Sequence, residues 1–565
     1  MDKKISLTRI DGTKDFFVRG ETAVVERIAR PTVVHAASSN SYDKTNLGNF
    51  PEINPHVVVI IPPVVCHNLD PHTGIPFMPH MAAHLAGALK HGGGRHVQVI
   101  DCFGLQPNER QVVGEFMLMG VDEDWVVGHL APGTINCFIY CRTIAEFIAV
   151  ERLVAKIKEQ RPEVKITLFE NVQAVTSYSL RHVVQEFLGK GVDCIIMGEP
   201  EDRVVDVAKR LEEGRSLAGI LGIAYREDGE IKVSAPSEFP ANLDALPMPA
   251  WENFPLKGYW TAGFAHAPVS GRKFLPILTS RGCPYRCTFC IAPEVNPKWR
   301  GRSAKHVVDE MEHFYRTLGI TDYHVSDLDP TVSDKRTREI CQELIKRDLP
   351  LTWKLAQGTK IETIKSEETL ELMAKAGCVF VSFSPESGSK RLLKIMNKPF
   401  DHEHALKMAE KMNTLNIRMQ AVFIGGVPGE EPADREMSVA YAKKLLKAGV
   451  DEVSLVVFTP LPGAKLSGAL NDFKHYSQCT PSPAWRKDYK ILMAYRRRMY
   501  VNLFAYKAIY HPEKLMREMW GVLTLKFQTK MEMSLFKQVK LYALRYIPWM
   551  FALLDSDREL KNVAD

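Results

Sequence analysis

The sequence predicts an α/β fold: a doubly wound parallel sheet, then a second β/α series, then a helical and basic C-terminal region. Three observations carry this. Short β-branched runs such as Val57-Val58-Val59-Ile60-Ile61 alternate with stretches of helical length, the pattern of parallel sheets. The alternation starts again at Phe274, so the 565 residues hold more than one core. Charge is also uneven. The whole chain carries +6, but residues 481–550 hold 14 Lys and Arg against 4 Asp and Glu, leaving about −4 for the rest.

Residues 1–50 are polar and mixed and read as an N-terminal extension. The first α/β domain spans 51–235. Its predicted strands are Val57–Ile61, Val97–Asp101, Trp125–Gly128, Val164–Phe169 and Val192–Met197, with helices over Met78–Leu89, over Ile144–Gln160 and between the last two strands. A linker covers 236–270. The second series, 271–470, opens with Phe274–Leu278 and a helix at Ala304–Thr317. Strands follow at Tyr323–Asp327, Leu351–Leu355, Val379–Phe383, Ile417–Ile424 and Glu452–Phe458. Residues 471–565 form the C-terminal region, helical from Trp485 to Trp549.

Composition sets the class. A hydrophobic share of 45% and a charged share of 25% suit a soluble globular protein. No window reaches the roughly 18 apolar residues of a spanning helix, and no apolar stretch follows Met1-Asp2-Lys3-Lys4. Eleven cysteines in this length do not make a disulfide scaffold. Eight are scattered and read as packed thiols, and a reducing cytoplasm is the expected compartment.

The other three lie together as Cys283-Pro284-Tyr285-Arg286-Cys287-Thr288-Phe289-Cys290. Three thiolates this close leave a fourth coordination position without a nearby thiol. That arrangement suits a [4Fe–4S] cluster with one open iron. A structural zinc site wants a fourth close ligand, and the nearest downstream histidine is His306. Three buried or zinc-bound cysteines are the plainer alternative.

The C-x3-C-x2-C spacing, with an aromatic before the last cysteine, resembles the signature of radical S-adenosylmethionine (SAM) enzymes. The resemblance implies that Cys283, Cys287 and Cys290 hold the cluster, that the open iron binds SAM, and that Phe289 lies near its adenine. It also implies that the six β/α units form a partial (β/α)6 barrel with cofactors at the strand C-terminal ends. Three further segments resemble the cobalamin-dependent branch of this family: Gly191–Glu201, Gly222–Gly229 and Leu243–Trp251. They imply that the first domain is Rossmann-like and binds cobalamin, with Pro62, His72, Gly128, Gly198, Glu199 and Glu201 as contacts. The loop Asp70-Pro71-His72-Thr73-Gly74 departs from D-x-H-x-x-G by placing its glycine one residue early. His72 as lower cobalt ligand and His72 as a solvated loop residue therefore both stand.

Ser384-Pro385-Glu386-Ser387-Gly388-Ser389 resembles the family's SAM-contacting G-x-E-S-G-S, with Ser384 in the place of glycine. It implies SAM contacts at Glu386 and Ser387. Gly425–Glu430 resembles the G-x-P-G-E turn and implies contacts at Gly426 and Pro428. Thr459–Ala464 echoes T-P-x-P-G-T, with Ala464 in place of threonine. Gln357 is a further SAM candidate. Asp327 and Asp329 are candidate substrate contacts at strand ends, against a reading as plain loop polars. Arg300 and Arg302 either offset cluster or SAM charge or cap their loop.

Taken together these features imply a cobalamin-dependent radical SAM C-methyltransferase, acting through a 5′-deoxyadenosyl radical and methylcobalamin on a small-molecule or lipid-like substrate. An electron donor such as flavodoxin or ferredoxin is the implied partner. The rival readings are an oxidative cyclase of the Mg-protoporphyrin monomethyl ester type, a methylthiotransferase, and a non-catalytic iron–sulfur or cobalamin sensor. The methylthiotransferase pattern, an extra N-terminal cysteine triplet and a C-terminal RNA-binding barrel, is not present. Three accounts of the basic aromatic tail stand open: helices packed on the barrel, peripheral membrane contact through residues 485–549, and nucleic-acid binding, for which no motif accompanies the charge.

Overall fold

In the computed structural model, which describes residues 33–34, 56–67, 74–269 and 273–537, the early apolar runs join into a seven-stranded sheet. Its five parallel strands are His56–Ile61, His96–Asp101, Asn136–Cys141, Lys165–Glu170 and Cys194–Ile196. They lie side by side in the order 2-1-3-4-5, and the antiparallel strands Ile223–Glu227 and Glu230–Val233 extend the edge beyond the fifth. Val57–Ile61 and all of Asn136–Cys141 are buried, which explains their continuous rather than alternating apolar character.

The predicted third strand at Trp125–Gly128 is instead part of a helix, Glu123–Gly128. Asp122 caps it by accepting the Trp125 N–H, and Glu123 and Asp124 sit in its first turn, where the helix dipole favours acids. The true third strand is Asn136–Cys141. A hairpin of Arg110–Val113 and Phe116–Met119, which the sequence reading missed, pairs antiparallel with Val64–His67.

The second sheet has six parallel strands in chain order: Phe274–Ile277, Asp322–Val325, Thr352–Thr359, Cys378–Glu386, Arg418–Gly425 and Glu452–Val457. The third and fourth run past their predicted ends, and their register shifts there. Gly358 (φ +86°) could carry no side chain, because a Cβ would lie 2.5 Å from Ser384 Oγ. Glu386 sits at φ 60°, a strained conformation for a residue with a side chain. The helices Tyr489–Tyr510 and Pro512–Thr524 follow, and residues 530–537 are helical.

The two sheets are joined by buried charge. Arg281 donates to Glu199 (3.2 Å) and Glu201 (2.7 Å), Arg300 also donates to Glu199, and Asn296 Nδ2 lies 3.0 Å from Glu199 Oε1. Burial opposes ionisation of Glu199, but the Arg281 and Arg300 charges hold its carboxyl below the usual range. The linker in turn is seated on the first sheet: a Cβ on Gly258 would stand 1.9 Å from Gly104 O, and Tyr259 donates its hydroxyl to Asp101 (2.9 Å). Glu199→Ala removes a carboxylate partner from the buried Arg281 and from the partly buried Arg300. The expected cost is about 3–5 kcal/mol, read as a lower urea midpoint.

Candidate active site

The cysteine loop follows directly from this joint. Ser280–Arg281 pairs with Arg300–Gly301 as a two-stranded clasp, and Gly282 (φ +78°) turns the chain where a Cβ would meet Lys298 O at 2.1 Å. The Cys283 N–H is held by Asn296 O, Thr288 N–H by Met396 O, and Arg286 O by the Asn397 amide. Eight of the eleven cysteines are buried; these three alone are partly open. Burial pushes Cys283 and Cys290 up to about 12, so a thiolate here needs a cationic partner. Among the described residues no three Cys, His, Asp or Glu side chains converge as ligands of a single ion.

All three cysteines face one cavity of about 590 Å³ that opens between the two sheets. From the second sheet, strand-end residues Gln357, Ser384 and Glu386 line it, with Asp329 and Phe289. Asp329 is the sharpest feature. Its Oδ1 accepts from Thr359 (2.9 Å), but its Oδ2 is buried with no partner among the described residues, and burial raises its carboxyl to about 6. Lys398, missed in the sequence, is buried against Glu386 and lies close enough to feel Cys287. Burial disfavours its charge, but Glu386 overrides this and keeps it an ammonium.

From the first sheet come Val64 and Val65 after its first strand, Thr143–Glu146 after the third, and Val175 and Thr176 after the fourth. These loops leave the C-terminal ends around the point where strand order reverses, the usual ligand crevice of such sheets. Here Thr176 Oγ1, on the cavity wall, is buried without a partner among the described residues, as are Gln173 Oε1 and Nε2 and Ser177 Oγ, its neighbours in the chain that lie off that wall. An orphaned polar atom on a cavity wall marks a place for a ligand. The last wall is the helix at 530–537, which turns Lys530, Met533, Ser534 and Lys537, spaced i, i+3, i+4 and i+7, into the cavity. Lys530 donates to Ala356 O (2.8 Å), and burial lowers its amine to about 8.

Several expected contacts lie elsewhere. Asp327 does not line the cavity: its carboxylate accepts from Thr279 N (2.7 Å), Thr279 Oγ1 and Ser280 Oγ, pinning the strand end before the cysteines. Ser387 bonds Ser438 (3.0 Å) behind the strand. In the turn of Gly426 and Pro428, Gly426 donates to Glu430 (2.8 Å) and accepts from Arg486 (2.9 Å), away from the cavity wall. Glu199 is spent on the interdomain joint, Glu201 gives it Oε1 and leaves Oε2 buried without a partner among the described residues, and Gly198 N–H is spent on Glu170. Gly128 is exposed at a helix end, and Pro62 fills the turn before Val64. His72 lies outside the described residues. Arg300 serves Glu199, and Arg302 serves Glu310 (2.7 Å) and Leu278 O. A separate surface groove of about 780 Å³ by Phe400, His402 and Tyr441 holds none of the predicted site residues.

A model of the radical SAM superfamily matches residues 277–442. The chain is 28% identical over 276 residues to an uncharacterized methyltransferase of Pyrococcus horikoshii, covering 49% of this chain and 57% of that one, little more than half its length. It is 28% identical over 415 residues to the anaerobic magnesium-protoporphyrin IX monomethyl ester cyclase of Rubrivivax gelatinosus, covering 71% and 69%. The radical SAM methyltransferase TsrM of Kitasatospora setae, solved with tryptophan and a SAM analogue, superposes with a TM-score of 0.56 at 17% identity over 73% of this chain and 75% of that one. With cobalamin and a [4Fe–4S] cluster bound, TsrM gives 0.53 at 18% identity over 74% and 77%. By its matched segment and its architecture, this chain carries a radical SAM domain within the mixed α/β fold that TsrM adopts.

Proposed function

We propose that the chain is a cobalamin-dependent radical SAM enzyme, and a C-methyltransferase within that class. The observation that carries this reading is the single cavity, shared by three partly open cysteines on one side and, on the other, by the strand-end loops of a doubly wound sheet with the orphaned Thr176 hydroxyl. In this reading residues 271–470 form the partial barrel and residues 51–235 the corrinoid domain.

The donor sets fit the groups. Three cysteines spaced along one loop suit a cluster with separated irons. Asp329, with an orphaned oxygen, together with Gln357 and the Glu386–Lys398 pair, offers acceptors and donors to a zwitterion carrying a ribose diol. Val64, Val65 and Val175 give the opposite wall an apolar surface for a flat macrocycle, and Thr143 and Thr176 offer hydroxyls for its polar side arms. When bound, the cluster with SAM supplies a 5′-deoxyadenosyl radical after reduction by a donor such as flavodoxin or ferredoxin, and methylcobalamin supplies a methyl group.

The chain's own residues do the rest. Asp327 fixes Thr279 and Ser280, so the cysteine loop leaves the strand at one angle. Lys398 places a fixed positive charge beside the cysteines, which offsets negative charge gathered there. The first-sheet loops and the helix at 530–537 line the cavity's sides, so a reactive group bound there meets these side chains in place of bulk solvent.

A cyclase is the second reading, favoured by the longer match to the Rubrivivax enzyme. Methyl-labelled SAM separates the two: label leaving SAM and arriving on product supports methylation, and 5′-deoxyadenosine formed while all label stays on methionine supports cyclisation. In the anaerobically reconstituted chain, Cys287→Ala is expected to abolish 5′-deoxyadenosine formation by mass spectrometry; a variant that still cleaves SAM sinks the reading. Asp327→Ala frees three donors next to the loop. It is expected to cost about 1.5–3 kcal/mol in denaturant titration and to lower iron retained after reconstitution.

A further inference from the structure

The helix Tyr489–Tyr510 contains five Lys and Arg and no carboxylate. Lys490 and Arg497 are exposed near its start, while Arg498 is held by Glu436 and Lys507 by Glu518. Toward its end the solvent face turns apolar, with Val501, Phe504 and Ile509 exposed. The next helix, Pro512–Thr524, carries an apolar face of its own. Met516, Met519, Trp520 and Leu523, spaced i, i+3, i+4 and i+7, are 61–75% exposed, while Lys514 and Gly521 on the opposite side are buried. The acids facing this helix are accounted for: Glu518 pairs with Lys507, and Glu513 lies 3.6 Å from His511. Exposed Lys526 follows.

Seven large apolar side chains exposed on two consecutive helices are more than scattered surface hydrophobicity and mark an interaction surface. Charge decides with what. A second copy meeting this face would bring the exposed Lys490, Arg497 and Lys526 of both copies into one interface, with Glu513 the exposed acid of these two helices to answer them. The chain's own residues 538–565 hold four Lys and Arg against four Asp and Glu, a net charge of zero, so they offer no net negative complement. An anionic lipid surface does. Met, Trp and Leu enter the acyl boundary, and the flanking cations meet the headgroups.

We propose that the face formed by Val501, Phe504, Ile509, Met516, Met519, Trp520 and Leu523 docks the protein on anionic membranes, in the plane of the interface. No helix among the described residues is long and apolar enough to cross one. The full chain is tested by sedimentation with sucrose-loaded vesicles of mixed phosphatidylcholine and phosphatidylglycerol. It is expected to pellet with these, to stay in solution with phosphatidylcholine alone, and to be released by roughly 0.5 M salt, where the screening length is only a few ångströms. Trp520→Glu with Leu523→Glu, both at solvent positions, is expected to lower vesicle partitioning about tenfold or more with an unchanged circular dichroism spectrum. Three outcomes overturn the proposal. One is a chain that stays in the supernatant with anionic vesicles, and another is a double variant that pellets like the parent. The third is a concentration-dependent dimer in light scattering that the same variant abolishes.

Discussion

The contact between Arg281 and the paired carboxylates Glu199 and Glu201 sets the geometry of everything else. Arg281 stands two residues before Cys283, so the segment that locks the sheets together also launches the cysteine loop. A charge cluster removed from water has few acceptable arrangements, because any displacement leaves an unpaired ion in a low-dielectric region. An apolar joint could slide by an ångström at little cost. This one cannot, and the distance across the cavity is fixed accordingly.

Within the second sheet the same logic operates on a smaller scale. Lys398 arrives from a segment that also hydrogen-bonds the cysteine loop through Met396 and Asn397, so backbone stitching and charge placement have one source. Glu386 holds that ammonium from a strained backbone position at the end of its strand, where the register with the neighbouring strand slips. Strain at this point aims the carboxylate inward, which an unbroken strand pleat would not do.

The parallel architecture could be read from the chain because buried strands of parallel sheets are runs of β-branched residues, and the cysteine triplet because three thiols in eight residues leave few chemical options. The site's remaining parts were hidden for physical reasons. Glu199 and Glu201 look like binding residues in sequence, since nothing local reveals that their partners are 80 or more positions away. The glycine turn at Gly426 has the composition of a ligand loop, but Glu430 and Arg486 satisfy it internally. Trp125-Val126-Val127 has strand propensity, overruled by the Asp122 cap. Lys398, Thr176 and the 530–537 helix matter through tertiary placement alone. A capping or spacing rule applied to the sequence would have recovered the helix at Glu123–Gly128, but not these.

The helix at 530–537 also bears on how the protein is made. Lys530 reaches Ala356 O across 174 residues, and Met533 meets the linker at Ala265 across 268. Both sheets can therefore be complete on the ribosome while one side of the cavity is still missing. The cavity is thus finished last, taking its full lining only when the C-terminal helix packs against both the linker and the second sheet.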